Sequence, residues 1–101
     1  SRGERTVNLE ADRRRGMEAR RLLDDPLLTE AFATVEARLR SQWAASAENE
    51  TATRERLWLM VRLVGHVRGL LTEAAETGRL ADLQLRAIEA ARDPEQFSAK
   101  E

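Results

Sequence analysis

The sequence has no cysteine and no tyrosine, and only one histidine, one lysine and two prolines. Without cysteine there is no disulfide, zinc–thiolate site or thiol nucleophile. The lone His66 cannot build a His-rich metal site, and no serine stands in a glycine-bearing elbow to complete a triad. The sequence holds no catalytic constellation and no glycine-rich phosphate loop, so a non-enzymatic protein without cofactor or metal is expected. Long apolar runs are missing too. The longest, Leu57-Trp58-Leu59-Met60-Val61, ends at Arg62, far short of the roughly 20 residues that span a bilayer. The charged residues 1–5 are followed by no apolar stretch of the secretory kind. No membrane association and a cytoplasmic location, in a bacterial host cell, are the expectations.

What is present is charge and helix formers. The 101 residues suit one small domain. Seventeen basic residues face 18 acidic ones, so the net charge of −1 exerts no global pull on nucleic acid or membrane. A hydrophobic content of 42% is enough for a core. Sixteen of the basic residues are arginine. Arginine suits bidentate phosphate and carboxylate contacts, and a GC-rich genome would also enrich it. Alanine and leucine supply 16 and 14 residues, both strong helix formers. An all-α fold follows, with three to four helices around a central antiparallel hairpin.

The punctuation divides the chain. Residues 1–7 read as a flexible, charged lead. A helix over about 8–24 has a thin apolar stripe and is weakened at Gly16 by about 1 kcal/mol relative to alanine. Asp25-Pro26 breaks it and starts the next, with aspartate as N-cap and proline at the first position. Over about 26–47, Leu28, Phe32, Val35, Leu39 and Trp43 are spaced 4, 3, 4, 4, a helical seam. The polar run Glu48-Asn49-Glu50-Thr51 reads as a loop, short enough to make its flanking helices antiparallel neighbours. A third helix, about 52–77, carries Leu57, Met60, Val61, Val64, Val67, Leu71 and Ala74. Gly78 is expected to close it as a left-handed cap. A fourth, about 80–92, carries Leu80, Leu83, Ala87, Ile88 and Ala91, and Asp93-Pro94 stops it before a tail over 93–101.

Three features invite a functional reading. Arg13, Arg14, Arg15, Arg20 and Arg21 place five arginines in nine residues. They either contact phosphates, with salt-dependent affinity, or form a solvated face paired with Glu10, Asp12 and Glu18. Gly65 and Gly69 share one face of the most apolar helix, and Trp58 lies seven residues before Gly65 on the same side. Two glycines inside a helix cost about 2 kcal/mol, which suggests close approach of another backbone, within the fold or across subunits. Trp43 and Trp58 flank the loop, and either close the open end of the hairpin or form a knob for a partner. With Phe32, these residues are the candidate assembly contacts. Thin stripes on a chain this short limit internal burial, so homo-oligomerisation is expected. By segment, net charge alternates: +1 over 1–25, −2 over 26–53, +2 over 54–79 and −2 over 80–101. That pattern suits helices packing against each other and against like subunits.

The span 25–78 also resembles known proteins as a whole. It runs Asp25-Pro26-Leu27-Leu28-Thr29-Glu30-Ala31-Phe32, then Trp43, then Arg54-Glu55-Arg56-Leu57-Trp58-Leu59, then Glu76-Thr77-Gly78. It is similar to short helical proteins of tailed phages and gene transfer agents encoded near packaging and head genes, some of which look like small terminase subunits. That resemblance implies an oligomeric, ring-forming DNA-packaging adaptor that works with a large terminase ATPase. With no helix-turn-helix of the usual size before residue 25, the DNA contact implied is weak and non-specific. The alternative is a structural or scaffold-type phage assembly factor that touches protein only.

Overall fold

The structure, a computed structural model, describes residues 2–92, and these are almost entirely helical, with no strand among them. The helices are α1 (Arg2–Asp24), α2 (Pro26–Ala45) and α3 (Thr51–Arg92). The all-α expectation holds, with three helices. The tail over 93–101 lies outside the described residues.

α1 begins six residues earlier than the sequence suggests. Residues 1–7 were expected to be a flexible lead, yet from Arg2 onward they are helical. No proline interrupts them, Glu4 sits in the first turn where the helix dipole favours an anion, and the Thr6 hydroxyl donates to the Arg2 carbonyl at 3.0 Å. At the other end the Asp-Pro device works as expected. Asp25 is extended (φ −69°, ψ 120°) and Pro26 opens the next helix. The Asp25 carboxylate accepts the Leu28 N–H at 2.9 Å. The Thr29 hydroxyl then donates back to the Leu23 carbonyl at 3.2 Å.

α2 stops at Ala45, two residues early, because Ser46 turns extended and closes it. The Ser46 N–H donates to the Gln42 and Trp43 carbonyls, and its hydroxyl donates to Trp43 at 2.6 Å. Across the loop, the Glu50 carboxylate accepts the Ala47 N–H at 3.0 Å.

α3 runs 42 residues without a break, about 63 Å at the usual helical rise. The expected boundary at Gly78, and with it a separate fourth helix, does not exist. No glycine among the described residues has a positive φ, so Gly78 is an interior helical residue rather than a cap. Arg79 spans it: its Nε and Nη2 hydrogen-bond the Glu76 carboxylate at 2.6–3.2 Å.

The chain clusters into two compact units. One combines Ser1–Arg20 with the chain from Glu73 onward. Its buried residues are small: Gly16, Ala19, Ala74, Ala75, Gly78 and Ala81, with Leu85. A Cβ built on Gly16 would lie 2.5 Å from the Gly78 Cα and 2.9 Å from the Ala74 carbonyl oxygen, and the converse holds for Gly78 against Gly16 and Asp12. Here two helix backbones touch, and only glycine permits it. Gly16 therefore weakens α1 locally in exchange for a close crossing.

The other unit is Arg21–Thr72. Only Leu39 and Leu57 are buried among its large apolar residues. Its cross-helix contacts pair the start of α2 with later residues of α3, and the end of α2 with the start of α3. Arg68 bonds Glu36 at 3.2 Å and lies 5.2 Å from the Phe32 ring. The Arg54 guanidinium lies 3.9 Å over Trp43 and donates to the Trp43 carbonyl and to Ser46 at 3.0–3.3 Å.

Candidate interaction surfaces

The five arginines of α1 do not gather into one cluster. Helical spacing aligns Arg13 with Arg20, and Arg14 with Arg21, seven residues apart in each case. Arg15 falls on a different side of the helix. Arg14, Arg15, Arg20 and Arg21 are exposed. Arg13 is half-buried and lies 3.9 Å from Asp82, which also binds Arg86 at 3.0 Å. Glu76 faces this group as well. Its pKa is held below the ordinary carboxylate value, chiefly by the Arg79 hydrogen bonds and also by the charges of Arg79 and Arg20. The partners expected for these arginines were neighbours in α1 (Glu10, Asp12 and Glu18). Asp82 and Glu76 are further partners from α3, about 60 residues away in sequence, where no local spacing rule could have found them.

The glycine pair on α3 behaves differently from the pair at the crossing. A Cβ built on Gly65 or Gly69 meets nothing within 4 Å. The close approach expected there within the fold is therefore absent and is found at Gly16 and Gly78 instead. Gly16, Gly65 and Gly69 are legible as mid-helix glycines, whereas Gly78 reads as a cap, so the sequence does not point to the pair at the crossing.

The two tryptophans do not need each other. Trp43 is stacked by Arg54, and Trp58 by Arg62 at 4.9 Å, one helical turn along. Both remain exposed. Phe32 is half-buried and lines a shallow pocket of ≈ 330 Å³ with Leu22, Leu28, Ala33, Glu36 and Arg68. Arg54 and Arg68, which hold α2 to α3, carry no motif. Their roles depend on carbonyls, a carboxylate and rings from the neighbouring helix.

The largest departure from a finished surface lies along α3. Trp58, Leu59, Met60, Leu63, Val67 and Leu70 are all exposed, with Leu63 at 62% and Leu70 at 64%. Leu27 (74%) and Val35 (45%) are exposed on α2. No described helix is long and apolar enough to cross a membrane. Among the described residues no group of three or more metal-ligating side chains is gathered. No protein-family model, curated protein or solved structure matches the chain.

Proposed function

We propose that this chain is a homo-oligomeric helical adaptor of the small-terminase kind, which assembles through its α2/α3 unit and works with a large packaging ATPase. The observation that carries this reading is the balance of that unit. Two large apolar residues are buried in it, while six within 58–70 of α3 stay exposed. Five of these, Leu59, Met60, Leu63, Val67 and Leu70, share one side of the helix, and contiguous apolar surface of this kind marks an interaction site. Gly65 and Gly69 leave room beside Trp58 for the backbone of another subunit, and Phe32 and Trp43 are the aromatic contacts on α2. Arg14, Arg15, Arg20 and Arg21, with Arg13, are the residues for DNA. Each is a modest phosphate contact, multiplied by repetition around an oligomer. The packaging context rests on the resemblance of residues 25–78.

A protein-only assembly factor is the second reading. It is favoured by Arg13, which already has Asp82 as a partner, and by Arg20, which sits in the field of Glu76. A gel shift with duplex DNA at low and high salt separates the two. The adaptor reading expects retention that falls steeply with salt and disappears when all five arginines become alanine. Retention that survives those substitutions overturns the assigned DNA contact, and absence of retention at low salt leaves the protein-only reading.

A further inference from the structure

Most of the exposed aliphatic residues of the α2/α3 unit lie on one side of that helix pair, with Trp58 on the other. On α3, Met60, Leu63, Val67 and Leu70 are spaced 3, 4, 3, a stripe of the a/d kind. A pocket lined by Gln42, Ala45, Arg56, Leu57 and Met60 fixes which edge of α2 borders it. Stepping back from Gln42 along that edge gives Arg38, Val35, Ala31 and Leu27. The end of α1 does not cover this side, because Leu22 and Leu23 line the other pocket, with Thr29, Ala33 and Arg68. One flank of the pair is covered and the other is open.

We propose that the open flank is the seat of a second copy of this chain, turned end over end about a twofold axis passing level with Val35 and Gly65. This rests on the self-assembly reading above and deepens it by naming the face and the symmetry. The spacing 3, 4, 3 reads the same in both directions. An antiparallel copy therefore sets Met60 against the partner's Leu70, and Leu63 against the partner's Val67. Contacts within the unit fix the level of the axis on α2. Phe32 meets Arg68 and Ser46 meets Arg54, so position 35 stands level with position 65. Val35 then meets its own counterpart.

Charge complements the fit. Glu30 and Arg38 are exposed, have opposite sign, and lie on either side of Val35 along α2. The same rotation brings Glu30 beside Arg38 of the partner subunit, and does so twice, as an isologous interface requires. Trp58, Gly65 and Gly69 lie on the opposite side of α3 from the stripe, so this pairing leaves them free for a further contact.

The absence of native cysteine makes cross-linking clean. In the full chain, Val35→Cys is expected to form a disulfide dimer alone under mild oxidation. Met60→Cys and Leu70→Cys are expected to cross-link when mixed and not separately. Leu63→Glu changes an exposed residue, so helicity by circular dichroism stays constant while the dimer dissociation constant rises at least tenfold. Self-cross-linking of Met60→Cys would show a parallel pairing and overturn the proposal. Cross-links confined to Trp58→Cys or Gly65→Cys on a chain that still dimerises would overturn this face while leaving self-assembly standing. A monomeric mass for the unmodified chain would overturn both.

Discussion

Gly16 and Gly78 are positions where a methyl group has nowhere to go. The neighbouring atoms at 2.5 and 2.9 Å are backbone, so a side-chain rotation cannot relieve the clash. Overpacking of this kind costs about 1–3 kcal/mol, against roughly 1 kcal/mol of helix propensity gained. Gly16→Ala and Gly78→Ala are each expected to lower stability by about 1–2 kcal/mol in a urea melt. Gly65→Ala and Gly69→Ala meet open space and are expected to raise it, by about 0.5–1 kcal/mol each. If one of these two instead abolishes association while raising stability, a second subunit's backbone seats there. The sequence shows three mid-helix glycines, Gly16, Gly65 and Gly69, and reads Gly78 as a helix end. Which pair is structural depends on contacts between positions 62 residues apart, and no local pattern encodes them. Asp25, by contrast, was legible, because an N-cap is a local device whose whole mechanism lies within four residues. Asp25→Ala is expected to cost about 1 kcal/mol, read in the same melt.

At the level of the elements, the feature that needs explaining is the continuity of α3. Thr77-Gly78 has the composition of a helix end, and the helix passes through it. The Glu76–Arg79 pair spans the glycine, and the contact with α1 supplies the packing that a lone glycine lacks. The pair leaves a measurable trace. The Glu76 pKa is lowered, first by the Arg79 hydrogen bonds, and that of Arg79 is raised by the same bonds. A lowered carboxylate pKa stabilises the fold above the pKa of the unfolded chain, and that stabilisation is lost as pH falls through the folded value. Carbon-detected NMR titration is expected to place the Glu76 midpoint below an ordinary glutamate, and Arg79→Ala to move it back up. An unchanged midpoint in that variant would remove the pair as the cause. Other element boundaries were partly legible. The end of α1 at Asp25 was legible in its capping group, whereas the Ser46 cap that ends α2 two residues early was not. Nor was the early start of α1, because residues 1–7 carry no apolar stripe to mark them.

For the whole molecule, the question is what covers the apolar residues that the described chain leaves open. The seam of α2 was visible in the spacing of Leu28, Phe32, Val35, Leu39 and Trp43, yet of these only Leu39 is buried. Periodicity identifies residues that want burial and does not say whether one chain can provide it. Arg54 and Arg68 partly substitute for a hydrophobic core in the α2/α3 unit by stacking on Trp43 and Phe32. Stacking of this kind is worth on the order of 0.5–1 kcal/mol where exposed, less than burial of a single large apolar side chain. The proposed self-association would supply the missing burial, and it is the premise shared by the adaptor reading and the twofold pairing. Native mass spectrometry of the full chain at micromolar concentration tests it most directly. The account predicts a mass of twice 11.4 kDa or a higher multiple, shifting toward the single chain with Leu63→Glu. A single species at 11.4 kDa across that concentration range would contradict it.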